Sequence, residues 1–93
     1  LNISPMYAYN FDTKRLLFDG QEQLLTPKQA QIIDLLAMNA NKIIDFEWLR
    51  YEVWNSSDID NATIRAEMHR VRAVLKEDII QSIKGVGYRL KTI

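Results

Sequence analysis

Apolar and polar positions alternate in three short runs over the first 25 residues of the chain. The runs span residues 6–9, 15–18 and 23–25. Turn-forming residues separate the runs, and Asp19-Gly20 is a dipeptide typical of a two-residue hairpin turn. Alternation of this kind indicates half-buried strands, so the pattern predicts a small antiparallel sheet.

A helical pattern of apolar residues begins after Leu25. Thr26 and Gln29 have the spacing of a capping box, and Pro27 stands at the first helical position, where its missing N–H costs little. Apolar residues then recur at intervals of three and four, at Ile33, Leu36, Ala37 and Ala40. The pattern predicts a core-facing helix that ends near residues 39–41.

Two further helices are predicted in the middle of the chain. Asp45 can cap the second helix, which follows the short apolar link 43–44. Its apolar side carries Leu49, Val53 and Trp54. Residues 55–61 form a polar loop, and the last two of them can cap a third helix that spans about residues 62–76.

The C-terminal part of the chain has the pattern of a β-hairpin. An apolar run over residues 79–83 is followed by a glycine turn at 84–87 and a second run over 88–91. The order of elements is therefore sheet, three helices, hairpin, with no repeat or linker between them. We predict one α+β domain over residues 1–93.

Composition narrows the kinds of site that the chain can carry. The chain has 93 residues, 47% of them hydrophobic, which is enough for one core. It contains no cysteine and one histidine, which excludes disulfides, thiolate nucleophiles and zinc fingers. Because it also has no phosphate-binding glycine loop and no nucleophile elbow, we expect neither enzyme activity nor a cofactor. No apolar stretch approaches the ~20 residues of a membrane span, and we expect a cytoplasmic setting.

Charge is divided unequally along the chain. The 12 Lys and Arg side chains balance the 12 Asp and Glu side chains. Residues 1–60 contain 5 basic and 9 acidic side chains, a net charge of −4, whereas residues 61–93 contain 7 basic and 3 acidic ones, a net charge of +4. The second part can therefore offer a basic face to nucleic acid although the total charge is zero.

The predicted third helix has an apolar side and a cationic side. A narrow stripe that should face the core contains Ile64, Met68, Val71 and Leu75. The outer side combines cations with small residues: Arg65, Ala66, His69, Arg70, Arg72, Ala73 and Lys76. Such a helix fits the major groove, which is about 12 Å wide and where arginine can hold guanine through O6 and N7. The alternative is that these arginines only solvate an exposed face.

The predicted hairpin is also basic. Lys84, Arg89 and Lys91 lie near its glycine turn, and no acidic residue follows Ile79. A basic finger beside a groove-binding helix would contact the minor groove. The alternative is an ordinary edge hairpin whose lysines discourage strand-to-strand aggregation.

Four short motifs follow one another along the chain at a characteristic spacing. They are Leu25-Thr26-Pro27-Lys28, Leu49 with Val53-Trp54, Thr63-Ile64 with Arg70-Val71-Arg72 and Leu75, and Ile83-Lys84-Gly85-Val86-Gly87-Tyr88-Arg89-Leu90. Together they resemble the winged-helix effector domains of OmpR/PhoB-type bacterial response regulators. The resemblance covers nearly the whole chain, and the last motif is the most specific.

This resemblance implies a winged helix-turn-helix fold and a function in transcription regulation. The fold would consist of a four-stranded N-terminal sheet, three helices and a C-terminal wing. The third helix, about 62–76, would bind the major groove of double-stranded DNA, and the wing, about 83–90, the minor groove. We expect the chain to be the output domain of a two-component regulator, with a receiver domain upstream, because it begins at Leu1 without an initiator methionine.

The resemblance also assigns roles to individual residues. Arg70 matches a base-reading position, Ala66 an apolar base contact and Arg72 a phosphate contact. Trp54 and Thr63 match positions that can touch the DNA backbone, although an indole beside the apolar second-helix residues fits a half-buried core position equally well. Arg89 matches the wing arginine.

Partner proteins follow from the same resemblance. The loop 55–61 corresponds to a segment that can contact RNA polymerase. We also expect two copies of the full-length protein to bind a pair of half-sites as a homodimer. No membrane contact is expected.

The third helix departs from the family pattern at several positions. Ala62 stands where arginine is frequent, Arg65 where aspartate is common, Glu67 where histidine or glutamine is frequent, and Ala73-Val74 where basic residues usually follow. We therefore expect weaker binding to the DNA backbone, with recognition dependent on Arg65, Arg70, Arg72 and Arg89. The alternative function is a winged helix that contacts proteins and binds DNA weakly or not at all.

Overall fold

The N-terminal strands form an antiparallel sheet in the order β1-β2-β3. In the computed structural model, which describes residues 1–93, these strands are β1 (Tyr7–Asn10), β2 (Arg15–Phe18) and β3 (Gln21–Glu22). Asp19 and Gly20 join β2 to β3 with φ angles of 51° and 78°. Two consecutive positive φ angles are those of a type I′ turn, so the hairpin predicted from this dipeptide is confirmed.

The expected fourth strand of this sheet is absent. Leu1 and Ile3 make backbone hydrogen bonds to β1, but the pairing there amounts to one isolated bridge, between Asn2 and Ala8. The hydroxyl of Ser4 accepts hydrogen bonds from the backbone N–H groups of Met6 and Tyr7, at 3.3 and 2.9 Å, and so turns the chain. Pro5, inside this turn, has no N–H to donate to a ladder.

The third strand lies two residues earlier than predicted. The two-residue turn pairs Phe18 with Gln21, so β3 begins directly after it. The predicted run 23–25 makes one more backbone bond to the sheet, from Gln23 to Leu16. Leu24, which the alternation placed in this strand, is 81% exposed.

Helix α1 (Pro27–Met38) forms where the capping box predicted it. The Thr26 hydroxyl accepts from the Gln29 backbone N–H at 3.2 Å, and the Gln29 side chain accepts from the Thr26 N–H at 3.0 Å. The helix ends at the cap residue Asn39. Its buried side consists of Gln29, Ile32, Ile33, Leu36 and Ala37.

The apolar link before the second helix is a strand, which the sequence pattern did not predict. This strand, β4 (Ile44–Asp45), leads into helix α2 (Phe46–Leu49), which continues as a π-helical segment (Arg50–Trp54). The Asp45 carboxylate accepts from the Trp48 N–H at 2.8 Å, so the predicted cap is confirmed. Asn55 ends the segment in the left-handed conformation.

Helix α3 (Asn61–Val74) is followed by the C-terminal hairpin. The Asp60 carboxylate caps the helix by accepting from the Thr63 N–H at 2.9 Å. The helix ends two residues before the predicted end, and Lys76 therefore lies outside it. The hairpin strands β5 (Ile80–Ile83) and β6 (Gly87–Leu90) form a second sheet, in the order β4-β6-β5.

One core of 19 buried hydrophobic residues joins the helices to both sheets. The predicted α3 stripe supplies Ile64, Met68 and Val71, each at most 1% exposed, and Leu75 packs at its edge. Burial of this stripe fixes which side of α3 faces outward. None of the helices is both long and apolar enough to cross a membrane.

Candidate nucleic-acid interface

The outer face of α3 is exposed along its whole length. Its burial pattern leaves the side chains that the sequence predicted for DNA contact open to solvent: Thr63, Arg65, Ala66, His69, Arg70 and Ala73. The two alanines allow a surface to approach the helix backbone closely. The structure therefore brings six of the eleven predicted site residues together on one helix face.

Arg70 is the most available arginine of this face. Its side chain is 62% exposed, and its guanidinium lies 3.5 Å from the Glu67 carboxylate one turn earlier. The Glu67 side chain is 18% exposed, but the guanidinium is open to water, and an ion pair that is partly solvated in this way contributes little, typically about 0–1 kcal/mol. Arg70 can therefore exchange this carboxylate for a base edge at small cost.

Arg65 is held by an aromatic ring at the start of α2. Its guanidinium lies 5.2 Å from the ring centroid of Phe46, within the range of a cation–π contact. The Phe46 ring packs edge-to-face on Tyr88 of β6, with 5.7 Å between the ring centroids. Arg65 thus lies at the edge of the exposed face nearest the hairpin.

The Arg72 guanidinium points into the molecule. It donates hydrogen bonds to the backbone oxygen of Ile80 at 2.6 Å and to the hydroxyl of Ser82 at 2.8 Å. It also lies 5.7 Å from the ring centroid of Tyr88. The residue predicted to hold phosphate therefore has two of its five N–H donors engaged by the hairpin.

The hairpin turn spans residues 84–86, and the glycine within it and the one that follows it each have a structural reason. The Val86 N–H donates to the Ile83 oxygen at 3.0 Å, so Gly85 is the third residue of a tight turn, a position where its φ of +74° favours glycine. A Cβ on Gly87 would lie 2.1 Å from the backbone oxygen of Ile44, because β4 crosses there. The Phe46 N–H donates to the Val86 oxygen at 3.1 Å and fastens the turn to the start of α2.

The hairpin presents Lys84 and Arg89, two of its predicted cations, differently. Lys84 is exposed in the turn and takes part in none of the three salt bridges of the chain. Arg89 is half-buried, and its guanidinium donates to the side-chain oxygen of Gln81, its cross-strand neighbour, at 2.5 and 3.0 Å. Lys84 is therefore the free cation of the turn.

Of the other predicted site residues, Trp54 and Lys76 lie outside α3, whereas Thr63 belongs to the face and is held by the helix cap. Trp54 is half-buried against the core, with the Lys28 ammonium 5.2 Å from its ring centroid. The Thr63 hydroxyl and N–H both bond the Asp60 carboxylate, and these bonds lower the pKa of that carboxyl. Lys76 lies beyond α3, over the ring of Phe18 at 5.2 Å.

Arg50 is a functional candidate that the sequence reasoning missed. Its side chain is 11% exposed and donates to the Glu47 carboxylate at 2.7 Å and to the Ile59 backbone oxygen at 2.9 Å. It also bonds the side-chain oxygen of Asn61. Arg50 therefore fixes the loop that leads into α3, and its position on an amphipathic helix gave no signal of this.

No group of three or more His, Cys, Asp and Glu side chains is arranged to hold a metal ion.

The model of the family described as "Transcriptional regulatory protein, C terminal" matches residues 20–90, which include all three helices and the hairpin. The chain belongs to this family. The resemblance to OmpR/PhoB-type effector domains is thereby confirmed, and these domains are parts of transcription regulators.

A curated relative of this transcriptional regulatory domain is the regulatory protein VanRB of Enterococcus faecalis. The two are 38% identical over 78 residues, which are 83% of this chain and 36% of VanRB. The chain thus spans about a third of the length of that relative.

Solved structures confirm the winged-helix fold of the transcriptional regulatory domain. The DNA-binding domain of CpxR from E. coli superposes with a TM-score of 0.81 at 23% identity, over 99% of this chain and 95% of that one. The DNA-binding domain of Klebsiella pneumoniae RstA, solved in complex with the RstA box, gives 0.82 at 15% identity, over 98% and 95%. Because the sequence identities are below 25%, these two structures show that the fold is shared and no more.

Proposed function

We propose that this domain binds double-stranded DNA in a sequence-specific manner and thereby regulates transcription. The observation that carries the proposal is the exposed outer face of α3, where Arg70 stands between small alanines, beside a turn that presents the free cation Lys84. A helix with this face fits the major groove, and the turn lies where it can meet the backbone or the minor groove. Family membership supports the same function.

The residues that would contact DNA follow from their exposure. Arg70 would read a base edge, and Ala66, His69 and Ala73 would lie against the groove floor or walls. Thr63 and Lys84 would contact the backbone. Trp54 and Arg89 are half-buried, and their part in binding would be smaller than the sequence suggested.

The wider setting of the domain is part of this proposal. The domain would be the output part of a longer two-component response regulator with an upstream receiver, since the matched family is one of C-terminal domains and the chain spans about a third of VanRB. It would act in the cytoplasm, where bacterial DNA lies. Two copies would bind paired half-sites, and loop 55–61, fixed by Arg50, would be available to RNA polymerase.

Selection from a random pool of duplexes, followed by titration at fixed salt, tests the proposal. We expect one motif to be enriched, and because a mismatched base pair costs about 1–3 kcal/mol, two mismatches should weaken binding at least about tenfold. Equal affinity for selected and random duplexes would contradict specificity. No chemical-shift change at residues 65–73 on addition of the selected duplex would favour the protein-contact alternative.

A further inference from the structure

Arg72 joins α3 to strand β5 by two short hydrogen bonds. One guanidinium nitrogen donates to the Ile80 backbone oxygen at 2.6 Å, and the other terminal nitrogen donates to the Ser82 hydroxyl at 2.8 Å. Both acceptors belong to the edge strand of the sheet β4-β6-β5. On the open side of β5, where a sheet would have its next strand, the guanidinium of Arg72 therefore supplies the hydrogen-bond donor for the Ile80 oxygen.

Burial makes this arrangement costly to undo. The Nε atom of Arg72 is buried and has no hydrogen-bond partner, so the charge depends on the two terminal nitrogens for its stabilisation. A phosphate that drew the guanidinium away from β5 would break both bonds and leave the Ile80 oxygen without its side-chain donor. An exposed arginine such as Arg70 makes a phosphate or base contact without this loss.

The same guanidinium is part of a larger cluster, which we name the arginine seam: Phe46, Arg65, Arg72 and Tyr88. Arg65 and Arg72 lie two helical turns apart on α3, and each faces one ring of the Phe46–Tyr88 pair. Phe46 begins α2 and Tyr88 lies in β6. The arginine seam therefore joins α3, α2 and the hairpin at one place.

We propose that Arg72 is a positioning residue, which holds the hairpin at a fixed angle to α3 and acts on DNA binding through the hairpin turn. It would set the spacing between the helix that enters the major groove and the turn that carries Lys84. The DNA part of this inference rests on the proposed function, whereas the link between α3 and the hairpin is independent of it.

Amide hydrogen exchange on the free chain tests the link without DNA. The variants are Arg72→Lys, which keeps the charge but cannot hold both acceptors, and the milder Ser82→Ala, which removes one acceptor. Thr13→Ala is the matched control, since Thr13 is exposed in the β1–β2 turn. We expect the amides of β5 and of residues 84–87 to exchange about tenfold faster or more in Arg72→Lys and in Ser82→Ala. The reason is that hydrogen bonds to a charged group are among the stronger ones, and their loss lets the hairpin open more often. Unchanged exchange in both would overturn the proposal.

DNA titrations test how Arg72 acts. A phosphate contact would survive in part in Arg72→Lys, would be unaffected by Ser82→Ala, and would add independently to the loss caused by Lys84→Ala. A positioning residue acts through the turn, so Ser82→Ala should weaken binding although Ser82 need not touch DNA. The factor by which Arg72→Lys lowers DNA affinity should also be at least about threefold smaller when Lys84 is already replaced by alanine.

The two experiments separate the possible failures. One outcome is that hydrogen exchange is faster but the losses of DNA affinity caused by Arg72→Lys and Lys84→Ala simply add. That result would overturn the positioning role of Arg72 in DNA recognition. If the wild-type chain binds no duplex, the proposed function fails, and exchange alone then decides whether Arg72 holds the hairpin.

Discussion

The hydroxyl of Tyr7 accepts a hydrogen bond from the backbone N–H of Lys76 at 2.8 Å, and so joins the first strand to the residues that follow α3. The same hydroxyl donates to the Gln23 side-chain oxygen at 2.7 Å, and the Gln23 amide donates to the Val74 oxygen at 3.0 Å. The bond from Gln23 satisfies the Val74 carbonyl, one of the groups that the C-terminal end of a helix leaves free, and the bond to Tyr7 takes the Lys76 N–H away from the helix. They explain why α3 ends at Val74.

Tyr7→Phe should destabilise the domain by about 1–3 kcal/mol, because it leaves the Lys76 N–H and the Gln23 oxygen without their partner. Urea unfolding measures the change. Tyr51→Phe is the matched control, since Tyr51 is 55% exposed, and it should change the free energy of unfolding by less than about 0.5 kcal/mol. Equal stability of the two variants would show that the Tyr7 network does not hold the helix end.

Local signals in the sequence predicted most of the fold. Thr26, Asp45 and Asp60 each cap a helix through a bond to a residue three positions later, and such bonds leave a readable pattern. The predicted end of α3 was wrong because a strand far away in sequence decides it. Strand β4 was missed since two residues are too few to show alternation.

The candidate site was predictable as a face but not residue by residue. The helical wheel places Arg70 and Arg72 on the outer part of α3, and burial confirms this for Arg70. Only the position of Ser82 and of the Ile80 oxygen shows that Arg72 turns toward the hairpin. Spacing along one helix carries no information about an acceptor on another element.

Gly87→Ala should destabilise the domain more than Gly85→Ala. The added Cβ at Gly87 would lie 2.1 Å from the Ile44 oxygen and 2.7 Å from the Asp45 Cα, so β4 must move away from β6. Overpacking of this kind costs about 1–3 kcal/mol. Because the clash at Gly87 is with backbone atoms, which cannot rotate away, we expect a cost at the upper end of this range or above it. At Gly85 only the left-handed backbone is penalised, at roughly 1–2 kcal/mol, because no atom lies within 4 Å of its Cβ position. Thermal unfolding ranks the two variants, and the reverse order would contradict the close approach of β4.

Arg70→Ala and Lys84→Ala should weaken DNA binding in different ways. Loss of a base contact at Arg70 should relax preference at one base pair, by about 1–3 kcal/mol. Loss of a backbone contact at Lys84 should weaken all duplexes alike and reduce the slope of log affinity against log salt by about 0.9. Titration of matched and single-mismatch duplexes at several salt concentrations measures both effects.

Lys42→Ala serves as the control for these variants, because Lys42 is exposed in the segment before β4, outside the α3 face. It should change neither base preference nor the salt slope. If Arg70→Ala left the ranking of mismatched duplexes unchanged, base reading would have to be assigned to another residue.

The free energy of unfolding should fall at alkaline pH because the buried phenol of Tyr9 then has to ionise. Burial, and then the hydrogen bond to the Asp34 carboxylate at 2.6 Å, raise the pKa of this phenol above its usual value of 10.0. The folded state thus favours the neutral phenol. Its contribution is complete below pH ~10 and is lost as the pH rises toward the raised pKa. In urea titrations at a series of pH values, Tyr9→Phe should show a shallower alkaline decline than the wild type, and parallel curves would contradict this assignment.

Strand β4 has its only partner in β6, at the far end of the chain. During synthesis, Ile44 therefore leaves the ribosome long before Tyr88, the residue that pairs with it. A non-local pairing of this kind forms late and slows folding. Until the last hairpin has emerged, the nascent chain can form its helices, but Phe46 and Arg65 lack the ring of Tyr88 that completes their cluster. We therefore expect the nascent polypeptide to complete the arrangement of α3 and the hairpin only after the hairpin has been synthesised.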